Sequence, residues 1–207
     1  MDVQRILISL PGIIIGFTVH EYCHALAAYK LGDSTAKEDG RLTLDPFKHI
    51  DIFGLIFIIF AGFGWAKPVH FSPDRLKNPN RDKAIIAAAG PFSNLLLGLI
   101  FLFFIKGFWA ANIYDERTIN IVNALIDVLY YWSVTNIALF VFNMLPIPPL
   151  DGSHIFLSGL KIKRETEEKI MRIGSGILIL LVIIQNTTDL EILPIGNIVR
   201  KIITLIL

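Results

Sequence analysis

The stretch at residues 6–31, ILISLPGIIIGFTVHEYCHALAAYKL, decides the fold. It is apolar, almost uncharged and longer than the roughly 20 residues a helix needs to cross a bilayer, yet His20-Glu21-Tyr22-Cys23-His24 lies inside it. Residues four apart on an α-helix share one face about a turn apart, so His20 and His24 can hold one Zn²⁺ between them while Glu21 projects beside it. An ionisable group at mid-bilayer costs roughly 2.5–3.5 kcal/mol on translocon scales, and such groups seldom sit there without a function. The alternative is a pair of histidines making ordinary interhelical hydrogen bonds.

Composition agrees with a membrane setting. The 207 residues are 54% hydrophobic and 18% charged, with a mean hydropathy of +0.60, outside the profile of a soluble globular domain. A net charge of +1 says nothing of nucleic acid, and with no basic block interleaved with aromatics no nucleic-acid partner is expected. The first apolar stretch is too long for a cleavable signal peptide and has no small-residue cleavage site, so it is expected to stay in the protein. Cys23 stands alone, which excludes an intrachain disulfide, and is expected to be a small packing residue.

Outward from this segment, spans are expected at about 6–31, 84–111 and 119–145. The run 51–65 is too short to cross and is broken by Gly54, Gly62 and Gly64, which suits a re-entrant element packed on protein or lining a wet cavity. Before it, Gly40-Arg41-Leu42-Thr43-Leu44-Asp45-Pro46 alternates and turns like a short β-strand. Pro146-Ile147-Pro148-Pro149 ends the third span, and a helix is expected to resume near Asp151. Residues 173–184 and 192–207 are apolar but short, and form an expected C-terminal hairpin. The fold class is therefore an all-α polytopic membrane protein: a three-helix core within 1–160, with a small β or re-entrant element, followed by a charged loop and membrane hairpin over 161–207. Nine lysines and arginines fall in 30–51 and 67–83 and five in 161–172, against Arg5 alone at the N-terminus and two in 106–117. The positive-inside rule then places the basic loops in the cytoplasm and the N-terminus outside a multi-pass protein of the cell membrane.

A catalytic zinc needs three protein ligands and an open position. Asp151 is the best third ligand, because it ends an apolar segment in an irregular proline-rich turn; it can also cap a helix. Asp127 sits alone near the outer end of the third span, and Asp33, Asp45 and Asp51 lie in polar loops where a solvated carboxylate is the default. His49 and His70 are expected to be solvated, His154 to be interfacial, and Asn94 and Ser93 either to support the site or to bridge helices.

His20-Glu21-x-x-His24, with Asn143-x-x-Pro146-x-x-x-x-Asp151-Gly152, resembles the paired signatures of the site-2 protease family of intramembrane zinc metalloproteases. Gly40-Arg41-Leu42-Thr43-Leu44-Asp45-Pro46, Trp65-Ala66-Lys67-Pro68-Val69 and Ala89-Gly90-Pro91-Phe92-Ser93-Asn94 resemble it too, so the likeness runs over about residues 12–160. The resemblance implies one Zn²⁺ per chain on His20, His24 and Asp151, Glu21 as catalytic acid and base, and Asn143 near the substrate backbone. It also implies an endopeptidase that cuts in or near transmembrane segments of other membrane proteins. The PDZ and CBS domains of some relatives have no counterpart here, which leaves docking and regulation open. Two other readings use the same residues. A silent binder of membrane helices would not need Glu21, and a zinc transporter or sensor would need a further polar path across the bilayer.

Overall fold

A computed structural model describes residues 3–61, 64–111, 116–160, 162, 164–188 and 192–207. Its helices are α1 Val3–Lys30, α2 Thr35–Glu38, α3 Pro46–His49, α4 Ile52–Ala61, α5 Pro79–Ala110, α6 Glu116–Asn143, α7 Asp151–Ser158, α8 Arg164–Thr187 and α9 Ile195–Ile206. Four stretches, Gln4–Lys30, Pro79–Ala110, Thr118–Asn143 and Glu165–Thr187, are long and apolar enough to cross a membrane. The chain is thus an all-α polytopic membrane protein. The fourth stretch corrects the expectation of two short C-terminal segments: the charged residues from Arg164 onward are helical and continue into the apolar run, so α8 has 24 residues. The 12-residue α9 rises only about 18 Å and cannot cross alone. Lys161, where the charged loop was expected to begin, lies outside the described residues.

α1, α5 and α6 pack on one another as a three-helix core. Glycine brings α1 close to α6, since a Cβ on Gly12 would stand 2.7 Å from the Trp132 ring and one on Gly16 2.7 Å from Asn136 Oδ1. Polar stitches join the helices: Trp132 Nε1 donates to the Ile8 carbonyl and Ser133 Oγ to the Gly98 carbonyl, both at 2.9 Å. Leu102, Ile105, Ile137 and Val141 form an apolar core with Val199 and Ile203, so α9 is packed against α6. The outward faces are also apolar, with Phe103, Phe104, Ile121, Ile177 and Leu180 exposed. Such a surface would drive association in water and suits contact with lipid.

The expected strand at 40–46 is not present. Its backbone has no ladder, Asp45 instead accepts from the Phe47 amide to start α3, and the Thr43 carbonyl accepts from His49 Nε2 at 2.8 Å. Among the described residues the β pairing is an isolated antiparallel bridge between Ile50 and Ala66, beside Lys67 N–H donating to the His49 carbonyl at 2.7 Å. The run at 51–65 therefore leaves and returns at one place; Gly62 and Phe63 within it lie outside the described residues.

Candidate active site

The geometry of α1 places His20 and His24 on one face as their spacing requires, and the residues brought to them come from elsewhere in the chain. The proline-rich turn sets Asp151 at the first position of α7, and its carboxylate faces both histidines: Oδ2 is 3.1 Å from His20 Nε2 and 3.4 Å from His24 Nε2, with the two nitrogens 2.9 Å apart. His20 and His24 are each 7% exposed. Each ring is held from behind, His20 Nδ1 by Asn94 Oδ1 at 2.6 Å and His24 Nδ1 by the Ile86 carbonyl at 2.7 Å. A carbonyl only accepts, so His24 donates from Nδ1, and Nε2 is the nitrogen it turns toward the cluster.

Facing this convergence is Gly90 of α5, where a Cβ would lie 2.4 Å from His24 Nε2 and 2.7 Å from His20 Nε2. The absent side chain keeps the space beside the two nitrogens open. Among the described residues, His20, His24 and Asp151 are the group of histidine, cysteine and acidic side chains that could hold a metal ion, and Cys23 is not part of it. The donor set fits zinc. Ligand atoms on a tetrahedral Zn²⁺ with Zn–N near 2.0–2.1 Å stand about 3.3 Å apart, close to the spacing here, and two imidazoles with a carboxylate leave one position open.

Glu21 is 8% exposed, and its Oε2 accepts from the Val69 amide at 3.0 Å. Val69 belongs to the extended segment after the Ile50–Ala66 bridge, and Trp65, Ala66, Pro68, Val69 and Phe71 all line a cavity of about 330 Å³ with His20, Glu21, His24, Asn143 and Asp151. Asn143 lies in that wall, where its amide donates to the Leu139 carbonyl of its own helix at 3.0 Å. The segment is anchored behind the site by Asp33, which has no exposed surface and accepts from the Thr35 and Ser72 amides and the Thr35 hydroxyl. Burial pushes its carboxyl up, but those hydrogen bonds, with the Arg75 guanidinium 4.0 Å away, outweigh it and hold the group below the ordinary carboxylate value. Arg75 is itself paired with Glu38 at 3.0 Å.

Two expectations are corrected here. Asp33 and His49 are not solvated but fully buried, because each satisfies backbone groups in the folded loop. His154 lines the cavity and has Glu167 Oε1 4.0 Å from its Nδ1. Asn94 both bridges helices and touches His20. Asn136, fully buried and bonded to Asn94, was missed; its signal in the sequence is an amide in the middle of an apolar span.

The chain matches the family model of Peptidase family M50 over residues 8–183. It is 43% identical over 144 residues to YwhC of Bacillus subtilis, provisionally named a zinc metalloprotease, covering 69% of this chain and 64% of that one. Rip2 of Mycolicibacterium smegmatis, named in the same provisional way, is 30% identical over 151 residues, covering 70% of this chain and 54% of its own length. A similarly named protein of Methanocaldococcus jannaschii, MJ0611, is 30% identical over 156 residues, 72% of this chain and 69% of that one. The chain thus spans between half and two thirds of the length of the first two relatives. No solved structure matches it.

Proposed function

Because this chain belongs to peptidase family M50, we propose that it is an intramembrane zinc endopeptidase, hydrolysing peptide bonds in or near the transmembrane segments of other membrane proteins. The observation that carries this reading is the convergence of His20, His24 and Asp151 around the gap at Gly90, with Glu21 in the same cavity, among helices apolar enough to span a bilayer. His20, His24 and Asp151 would hold one Zn²⁺, which when bound polarises a scissile carbonyl and acidifies a coordinated water. Glu21 takes the proton from the attacking water and returns it to the leaving amine. Asn143, in the cavity wall, offers its amide to the main chain of the substrate or to the developing oxyanion. A peptide bond inside a helix is wrapped and hydrogen-bonded, so the substrate must open first, and the extended main chain around Ala66–Val69 is the edge available to pair with it.

In the same proposal residues 1–160 are the protease core and 161–207 an appended membrane region. The 51–65 run dips into the membrane and returns, the N-terminus lies outside, and the basic loops are cytoplasmic. Zinc content and cleavage of a reporter transmembrane peptide test the function directly. Wild type should bind zinc and cleave, while Glu21→Gln should keep the metal and lose cleavage. A Glu21→Gln protein that cuts at the normal rate would sink the mechanism.

A further inference from the structure

The two histidines are held differently. His24 leans on a backbone carbonyl, whose role is unambiguous, but His20 leans on a side-chain amide, which could present either its oxygen or its nitrogen. The surroundings decide which. Asn136 donates from Nδ2 to the Trp132 carbonyl at 2.9 Å and to the Gly12 carbonyl at 3.3 Å, and both carbonyls can only accept. Its Oδ1 is therefore turned toward Asn94. Asn94 Nδ2 has two acceptors, that oxygen at 3.1 Å and the Gly16 carbonyl at 3.0 Å, which commits its Oδ1 to His20. Turning the Asn94 amide over would set its oxygen against two oxygens and forfeit both of the bonds its nitrogen donates. Asn94 and Asn136 have no exposed surface, so water does not substitute for a lost partner.

We propose that Asn94, locked by the Gly16 carbonyl and Asn136, is a positioning residue that fixes His20 in its Nδ1–H tautomer and aims the bare Nε2 at the space shared with His24 and Asp151. Asn94 lies one helical turn beyond Gly90 on α5, so one face of that helix supplies both the gap beside the rings and the clamp behind one of them. The carbonyls of α1 and the amides of α5 and α6, all within fully buried surroundings, orient the oxygen that faces His20 Nδ1. The inference rests on the metal-site reading above, and the following test separates the two.

Zinc affinity is measured by chelator competition on the full chain in detergent micelles. Absorption of the Co²⁺-substituted protein is recorded alongside, as a monitor of the ligand set. Asn94→Leu should weaken zinc binding about 10–100-fold, the range for losing an outer partner of a ligating histidine, and alter the cobalt bands. Asn94→Asp, which still offers His20 an oxygen but gives up both bonds of the lock, should bind zinc more tightly than Asn94→Leu. A merely structural role predicts the opposite order, because Asp removes the donor to Gly16 and adds a buried charge. Asn136→Leu leaves Asn94 with Gly16 alone and should fall between them; it carries the test if Asn94→Leu does not fold. Zinc affinity in Asn94→Leu or Asn136→Leu equal to wild type, or weaker in Asn94→Asp than in Asn94→Leu, would overturn the proposal. A wild-type protein whose zinc binding is indifferent to His24→Ala and Asp151→Ala would instead overturn the metal site itself.

Discussion

Replacing Gly90 by alanine adds one methyl group at the point where the two histidines meet. Carbon and nitrogen in van der Waals contact stand about 3.5 Å apart, and the new Cβ would stand 2.4 Å from His24 Nε2 and 2.7 Å from His20 Nε2. The overlap is therefore about 1 Å. Neither ring can swing aside freely, because each is bonded at Nδ1 and the carboxylate of Asp151 is on the other side. Relief means breaking one or both Nδ1 bonds, at about 1–3 kcal/mol each in a buried setting. With 1.4 kcal/mol to a decade, losing both lowers zinc affinity by roughly thirtyfold or more. Activity should fall further, since a displacement near 1 Å at a reacting centre can cost about 100-fold. The helix itself should not suffer, as alanine is favoured over glycine by about 1 kcal/mol in a helix interior. Gly107→Ala, on the same helix with nothing within 4 Å of its new Cβ, is the control. Chelator competition on both variants decides the matter: a Gly90→Ala protein with wild-type zinc affinity would refute the claim that this gap belongs to the metal position.

Asp151→Ala should lose both metal and cleavage, in contrast to Glu21→Gln, because two histidines alone hold zinc poorly; stoichiometric zinc in the purified variant would exclude Asp151 as a ligand. Asp33 has a folded pKa below its unfolded value of about 3.9, so its contribution is complete above that value and is lost as the pH falls below it toward the folded pKa. Thermal unfolding of wild type should therefore show an acid limb that Asp33→Asn flattens. The variant should also be less stable near neutral pH by about 1–3 kcal/mol, and equal acid sensitivity of the two proteins would show that Asp33 does not anchor the loop. In a Cys23→Ser background, a cysteine at Lys48 should be shielded from an impermeant thiol reagent in intact cells and one at Ala111 should react, and the reverse pattern would invert the assigned orientation.

Much of the architecture was legible in the residues because a bilayer imposes a local rule: a spanning backbone must satisfy its own hydrogen bonds, so long apolar runs are helices wherever they occur. The runs at 6–31, 84–111 and 119–145 follow that rule and appear as α1, α5 and α6, with boundaries shifted by one to five residues. The facing of His20 and His24 is likewise local, set by the 3.6-residue turn. The alternation at 40–46 failed for the complementary reason. A strand's hydrogen bonds come from another segment, and here Thr43 and Asp45 spend theirs within the loop and on α3.

What the tertiary structure alone decided is everything that depends on distant residues meeting. Asp151, 127 positions after His24, was expected beside the histidines from its proline-rich turn and the paired signature, but Val69 stands 48 positions after Glu21 and nothing in either neighbourhood encodes their approach. The burial of Asp33, the gap at Gly90, and the amide pair Asn94 and Asn136 behind His20 arise where α1, α5, α6 and the returning loop close on one another. The type and periodicity of a side chain determine which helix face it occupies; only packing determines which carbonyl, ring or carboxylate stands opposite, and behind a buried ligand that partner sets the proton's position and the ligand's aim.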